Sequence, residues 1–203
     1  MSFNMNKIKI FFLLFSLILT GCSTASYIVK NKSQTIGLDF TKGKWLLNEI
    51  DCPNSVYKQL KDKVNKDFGR ILGLRFYKIG DVNSIILPKK IEINPSKEVL
   101  KKINIGCKGY DYLINIKAII IKEEFGGVDI SSSNFKTEKT NQSEVVLEVY
   151  DINLSEIIYS QTISGSTKLF ESRSDVNFSK NSNMLIIGSY KKLMKLLEKK
   201  SIN

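Results

Sequence analysis

The stretch YDYLINIKAIIIK, residues 110–122, is the strongest β-strand pattern in the 203-residue chain. Side chains alternate between the two faces of an extended strand, and one face here is almost wholly apolar. That face carries Tyr112, Ile114, Ile116, Ala118 and Ile120. The opposite face is mixed and includes Asn115 and Lys117. The stretch therefore predicts a long strand that buries one face in the core.

Helical patterns lie on both sides of this strand. The first has an apolar stripe at helical spacing, which we expect to share a core with the strand: Val56, Leu60, Val64, Phe68 and Leu72. A second helix is expected to begin at Asn94-Pro95, with Asn94 as cap and Pro95 in the first turn. The third begins near Ser182 and presents an apolar face: Ile186, Tyr190, Leu193 and Leu197.

Shorter strand patterns complete the predicted fold. They cover residues 45–50, 74–79, 144–150 and 157–163, whereas residues 123–143 and 166–182 are polar and are interpreted as loops. The sequence thus predicts an α+β fold with a single mixed β-sheet of about five strands, packed by about three helices.

The N-terminus has the pattern of an export signal. Two lysines precede an apolar run at residues 10–19, which is too short to span a bilayer. The run ends in Leu19-Thr20-Gly21-Cys22, which resembles the lipobox of bacterial lipoproteins. This resemblance implies that residues 1–21 are a signal peptide that is removed and that Cys22 receives a lipid. An ordinary secretory signal with a chance cysteine is the alternative.

The lipobox resemblance also predicts domain organisation and location. Residues 22–33 are expected to be a lipid-anchored tether, and residues 34–203 a single α+β domain. Ser23 after the cysteine resembles lipoproteins that reach the outer membrane, so the expected location is that membrane, facing the periplasm.

Composition restricts the chemistry. The chain has 31 Lys+Arg and 20 Asp+Glu, a net charge of +11, which falls to +9 without residues 1–21. This basicity either favours anionic partners or is a solvated surface, and nucleic acid is not an expected partner in the envelope. The absence of His removes the commonest general base and metal ligand. We predict no catalytic residue, no cofactor and no metal site.

Two cysteines and two aspartates remain as candidates for chemistry. Cys52 and Cys107 are an even pair in an exported chain, so we predict a disulfide between them, with two buried thiols as the alternative. Asp111 and Asp151 lie beside strand positions, where a carboxylate pair could act as acid and base. We favour turn capping for both, because Asp is common in turns.

The order of elements, with Tyr110-Asp111-Tyr112-Leu113-Ile114 entering a strand, resembles the curli-secretion lipoproteins and the TolB amino-terminal domain. The later pattern is similar too: Val145 to Asp151, then Glu156 to Ser160, then Gly165-Ser166. The resemblance implies a TolB-like fold and a role in the envelope. Residues 123–143 lack the alternation of a lipid-facing strand, which disfavours a pore.

These observations favour a membrane-anchored periplasmic lipoprotein that acts as a non-catalytic binding or assembly factor for envelope machinery. Its expected partners are the membrane, through the lipid anchor, and an envelope protein. Two alternatives stay open: a hydrolase that acts on cell-wall or glycan material, and a subunit of an oligomeric secretion channel.

Overall fold

The computed structural model describes residues 25–30, 37–81, 91–126, 128–129, 138–170 and 177–202. A six-stranded sheet consists of β1 (Ser26–Val29), β2 (Trp45–Leu47), β3 (Phe76–Lys78), β4 (Tyr112–Glu123), β6 (Glu138–Asp151) and β7 (Glu156–Phe170). The strands β5 (Val128–Asp129) and β8 (Asn177–Phe178) form a separate two-stranded sheet. The helices are α1 (Asn54–Leu72), α2 (Lys97–Gly106) and α3 (Ser182–Lys200).

The large sheet is mixed. Its strand order is β1-β7-β6-β4-β2-β3, with β2 parallel to both β3 and β4 and every other pair antiparallel. The parallel pairs are joined by crossovers that contain α1 and α2, as parallel strands require. The predicted α+β fold, with one mixed sheet packed by helices, is confirmed.

The main core lies between α1, α3 and the first face of the sheet. Every residue of the predicted α1 stripe is buried, as are Ile114, Ile116 and Ala118 on β4. Trp45 stacks on Tyr112 with ring centroids 4.3 Å apart, which closes one end of this core. The predicted shared core of α1 and the central strand is therefore confirmed. None of the helices in the described ranges combines the length and apolar content that crossing a bilayer requires.

The second face of the sheet is covered in part by α2. A smaller apolar cluster forms there from Leu46, Ile91, Leu100, Ile103, Cys107, Leu113, Tyr150 and Ile152. Cys107 belongs to this cluster, whereas Cys52 packs against the core on the first face. Both thiols are free, so the predicted Cys52–Cys107 disulfide is wrong. A disulfide needs two Cα atoms within roughly 7 Å, and cysteines that pack on opposite faces of a sheet do not meet this condition.

Part of the predicted tether is a strand. Residues 26–29 form β1, an edge strand that pairs with β7 so that Ser26 faces Ser166. Tyr27 reaches across to α3 at Gly188, where an added Cβ would come within 2.0 Å of the tyrosine hydroxyl. The signal peptide and Cys22 lie outside the described residues.

The β6–β7 hairpin extends into both predicted loops. β6 begins at Glu138 and β7 ends at Phe170, and Glu138 pairs with Phe170. The polar side chain of Asn141 is buried in this extension, where its amide bonds the backbone of Glu124 and Phe125. Polarity indicated loops here, but buried hydrogen bonds allow polar residues inside a strand.

Candidate binding crevice

A crevice of about 180 Å3 opens at the carboxyl ends of β2 and β3. Ligand sites in sheets with parallel strands often lie outside the carboxyl ends of those strands. The walls come from the segment after β2, from α1, and from the single 3-10 turn that follows β3. The lining residues are Leu47, Asn48, Glu49, Ile50, Lys61, Asn65, Lys78, Ile79, Gly80 and Asp81.

Asn48 borders this crevice, but hydrogen bonds hold its side-chain amide on the second face of the sheet. Its side chain is 2% exposed, and its Nδ2 donates to Ile91 O and to Asn115 Oδ1, both at 2.9 Å. These two bonds fix the orientation of the amide, because both of its N–H groups are used. Its Oδ1 is buried and has no hydrogen-bond partner among the residues that the structure describes.

Asn65 on α1 lines the crevice and has a similar side-chain oxygen. It lies one helical turn after Lys61, on the side of α1 that faces the crevice. Its Oδ1 is also buried and without a donor within the described ranges. A buried acceptor without a donor costs about 1–3 kcal/mol, so each such group calls for an explanation such as a bound ligand or water.

The charged side chains on the wall of the crevice form hydrogen bonds and an ion pair with one another. Tyr57 donates its hydroxyl hydrogen to Glu49 Oε1, and Lys61 Nζ lies 2.6 Å from the Tyr57 hydroxyl and 3.3 Å from Glu49 Oε1. The bond from Tyr57, and then Lys61, lowers the pKa of Glu49. The Tyr57 hydroxyl, and then Glu49, raises the pKa of Lys61. Both groups are therefore held in their charged forms at neutral pH.

Two further charges lie at the rim. Lys78 ends β3 and Asp81 ends the 3-10 turn, and both side chains are exposed. Neither forms an ion pair with any residue in the described part of the chain. Among the lining residues, Asn65 thus has an acceptor, and Lys78 and Asp81 have charges, that no described residue pairs.

A second buried polar region lies on the other face of the sheet. Glu148 is 5% exposed, and its Oε2 accepts from the Asn94 N–H at 2.8 Å and from the Tyr150 hydroxyl. Ser160 Oγ lies 3.5 Å from Oε1. Burial, and then the bond to Glu148, raises the pKa of Tyr150, which keeps its hydroxyl a donor. We call Glu148, Tyr150, Asn94 and Ser160 the Glu148 network.

Asn94 was predicted to cap a helix, but it belongs to this network instead. Its backbone φ of 53° is in the left-handed region, which Asn tolerates better than most residues. Ser96 caps α2 instead, because its side chain accepts from the Val99 N–H. Both carboxylate oxygens of Glu148 are engaged within the domain, so this carboxylate is structural.

The predicted aspartate pair has turn-capping roles. Asp111 Oδ2 accepts from the Lys44 N–H at 2.8 Å, which joins the turn before β2 to the start of β4. Asp151 Oδ1 accepts from the Leu154 N–H at 2.9 Å within the β6–β7 turn. The interpretation of both residues as turn caps is confirmed.

Neither free thiol is suited to nucleophilic chemistry. Burial raises the pKa of Cys52 to about 11, with smaller effects from Asp51 and Glu49. Burial alone raises the pKa of Cys107 to about 11. A thiol protonated at neutral pH is a poor nucleophile and a poor metal ligand. Within the described ranges, no three His, Cys, Asp or Glu side chains group as metal ligands.

Comparison with known proteins yields similarity of architecture only. No family pattern and no curated protein matches the chain. Similar solved structures include the PelC dodecamer from Paraburkholderia phytofirmans, with 8% identity and a TM-score of 0.40 over 86% of this chain and 98% of that chain. A neuraminyllactose-binding hemagglutinin homolog from Helicobacter pylori has 13% identity and a TM-score of 0.41 over 83% and 88%. The lipoprotein GNA1162 from Neisseria meningitidis has 10% identity and a TM-score of 0.38 over 77% and 99%.

These identities and TM-scores are too low to assign a family or a function. The resemblance to the curli-secretion lipoproteins and the TolB domain stays a prediction. Neither Asn48 nor Asn65 was predicted from the sequence to be a site residue. One signal was present, since Asn48 directly follows the apolar Trp45-Leu46-Leu47 at the end of a strand.

Proposed function

We propose that the protein is a lipid-anchored, non-catalytic binding factor of the cell envelope, and that it binds its partner at the crevice. The observation that carries the proposal is an open crevice lined by Asn65, whose buried oxygen no described residue pairs, with the exposed charges of Lys78 and Asp81 at its rim. The ionisable groups on its wall are Glu49 and Lys61, which stabilise each other in their charged forms. A general acid or base needs a pKa near working pH, so this wall favours binding over proton transfer.

The position of β1 supports anchoring close to the membrane. β1 begins at Ser26, four residues after the predicted lipidated Cys22. Four extended residues span at most about 14 Å, so the anchor would hold the β1 edge of the sheet beside the lipid surface. A domain held in this way is placed to meet other envelope proteins.

Anchoring is tested by fatty-acid labelling in cells. The wild-type protein should incorporate labelled palmitate, and Cys22→Ser should abolish both the label and signal cleavage. Cys52→Ser is the matched control and should keep the label. Label that persists in Cys22→Ser would refute the anchor.

Binding at the crevice is tested by site-specific photo-crosslinking in intact cells. A photoreactive residue at Asp81, on the crevice rim, should yield a discrete adduct with an envelope component. The same residue at Lys192, exposed on α3, is the control and should yield none. Equal adducts at both positions, or none at either, would count against the proposal. Hydrolysis of envelope glycan by the purified protein would favour the hydrolase alternative instead.

A further inference from the structure

We propose that the lysine-rich side of α3 lies on an anionic phospholipid surface. This side, which we call the lysine stripe, consists of Lys191, Lys192, Lys195 and Lys199. The inference rests on the lipid anchor of the proposed function, because it specifies how the anchored domain is oriented on its membrane.

The lysine stripe is one continuous side of the helix. Lys191, Lys195 and Lys199 are four residues apart, so each lies about one turn beyond the last, and Lys192 lies beside them. All four side chains are exposed, whereas the opposite side of α3 is buried in the main core. At a rise of about 1.5 Å per residue, the four charges extend over about 12 Å of the helix surface.

Within the described residues, no acid offsets the charge of the lysine stripe. Glu198 is the single acidic residue of α3, and it pairs with Arg70 of α1 at 2.7 Å. None of the four lysines forms an ion pair in the described part of the chain. Like charges one turn apart on a helix repel each other, so this arrangement does not stabilise the isolated domain. An anionic surface would offset that repulsion.

The lysine stripe lies beside the strand that leads to the predicted anchor. The Tyr27 side chain of β1 packs on α3 at Gly188, and Lys180 Nζ lies 3.3 Å from its hydroxyl oxygen. Gly188 precedes Lys191 by less than one helical turn. A lipid on Cys22 would lie within about 14 Å of the start of β1. A membrane that holds this lipid is therefore within reach of the lysine stripe.

Charge complementarity selects anionic lipid as the occupant of this surface. Each lysine close to an anionic bilayer strengthens attachment by about fivefold. The attraction falls off over a Debye length of about 8–10 Å, so it acts only on lysines that are held near the surface. An acyl chain and a basic patch together attach a protein more firmly than either alone. The anchor sets the distance of the domain from the membrane, and the lysine stripe sets its orientation.

The experiment is lysine labelling of the protein as purified from cell membranes and reconstituted into vesicles. Vesicles of phosphatidylcholine alone are compared with vesicles that also contain the anionic lipid phosphatidylglycerol. A neutral acetylating reagent is added, and mass spectrometry measures the rate at each lysine. We expect Lys192 to react at least about fivefold more slowly on the anionic vesicles. Lys101, exposed on α2 at the other face of the sheet, is the internal control and should react equally on both.

A triple variant tests whether charge is responsible for the protection. Lys191→Gln/Lys195→Gln/Lys199→Gln removes three charges and keeps Lys192 as the reporter, and Gln is a good helix former. Lys192 should then react at the same rate on both kinds of vesicle. Protection that persists in this variant would overturn the inference, as would equal rates at Lys192 in the wild type.

The matched control removes three exposed lysines from α2: Lys97→Gln/Lys101→Gln/Lys102→Gln. It has the same net charge as the first variant and should keep the protection of Lys192. Loss of protection here as well would mean that net charge, not the lysine stripe, is responsible, and would also overturn the inference.

Two further outcomes separate this inference from the proposed function. A side of the domain that lies on lipid gives no protein adduct, so a discrete protein adduct at Lys192 in the photo-crosslinking experiment would overturn the inference. If the wild type takes up palmitate but Lys192 is not protected, this inference fails and the anchor stands. If the wild type takes up no palmitate, the anchor itself fails.

Discussion

The Glu148 network and the crevice both have buried side-chain oxygens, but they differ in whether a described residue donates a hydrogen bond to them. In the Glu148 network, the carboxylate receives hydrogen bonds from Asn94 and Tyr150 and lies beside Ser160. At the crevice, the side-chain oxygen of Asn65 receives none from the described residues. Burial alone therefore does not mark a functional group in this protein. The informative property is an acceptor at an open site that no described residue pairs.

Asn48 connects the two regions. Its nitrogen bonds Asn115, which lies beside Glu148 in the register of β4 and β6. The residue also lines the crevice. The two regions thus meet at Asn48, and substitutions in them should have different consequences.

The largest expected effect is that of Glu148→Ala. This substitution removes the acceptor for the Asn94 N–H and the Tyr150 hydroxyl, and leaves the fully buried Tyr150 hydroxyl without that acceptor. Bonds to charged groups contribute about 1.5–3 kcal/mol each, so the free energy of unfolding should fall by roughly 3 kcal/mol. Chemical denaturation measures this change. Glu144→Ala, on the same strand and face, removes one ion pair with the half-exposed Lys30 and should cost about 1 kcal/mol. Similar losses in both variants would contradict a special role for the Glu148 network.

A smaller loss is expected for Asn115→Ala, which disconnects the two regions. The Asn115 amide donates to Ile91 O and Glu92 O and accepts from Asn48. Loss of these neutral bonds should reduce the free energy of unfolding by about 2 kcal/mol. Because Asn48 and Asn115 share partners, the Asn48→Ala/Asn115→Ala double variant should lose less than the sum of the singles. Strict additivity would show that the two amides act independently.

The two thiols, one near each region, should make the free energy of unfolding depend on pH. Their pKa values rise from an ordinary 9.0 to about 11 on folding, so the folded state holds these protons more tightly than the unfolded state. Their contribution to stability is complete below pH 9 and is lost as the pH rises from 9 to about 11. Thermal unfolding of the wild type and of Cys52→Ala/Cys107→Ala across this range isolates the contribution. Parallel pH profiles would refute it.

The smallest expected effect on stability is that of Asn65→Ala. The residue lies within α1 and its buried oxygen has no donor in the described part of the chain, so truncation breaks no observed bond to that oxygen. Ala is also the better helix former. The free energy of unfolding should change by no more than about 0.5 kcal/mol and can increase. A loss as large as that of Asn115→Ala, the same substitution at a paired amide, would mean that Asn65 is structural.

The elements with strict periodicity were predictable from the sequence. The α1 stripe and the apolar face of β4 follow from side-chain spacing, because burial of one face governs both. The extension of β6 over residues 138–143 was not predictable in this way. Its buried Asn141 obtains its partners from Glu124 and Phe125, which are distant in sequence. The same applies to β1, whose four residues become a strand only by pairing with β7.

The crevice was even harder to predict from the sequence. Asn65 lies on the polar side of an amphipathic helix, where an amide is unremarkable. Its significance arises because the chain brings α1, the end of β2 and the turn after β3 around one space. The predicted disulfide was wrong for a related reason. An even number of cysteines does not indicate which face of the sheet each thiol occupies.

The pairing of β1 with β7 also determines the order in which the domain can be completed. Ser26 and Ser166 are 140 residues apart, and Tyr27 packs at Gly188, later still in the chain. A chain made from its N-terminus therefore cannot dock β1 until nearly all of the domain has been synthesised, and closing so long a loop is slow. Docking of β1 is thus a late folding event, which would draw the finished domain up against the predicted lipid anchor.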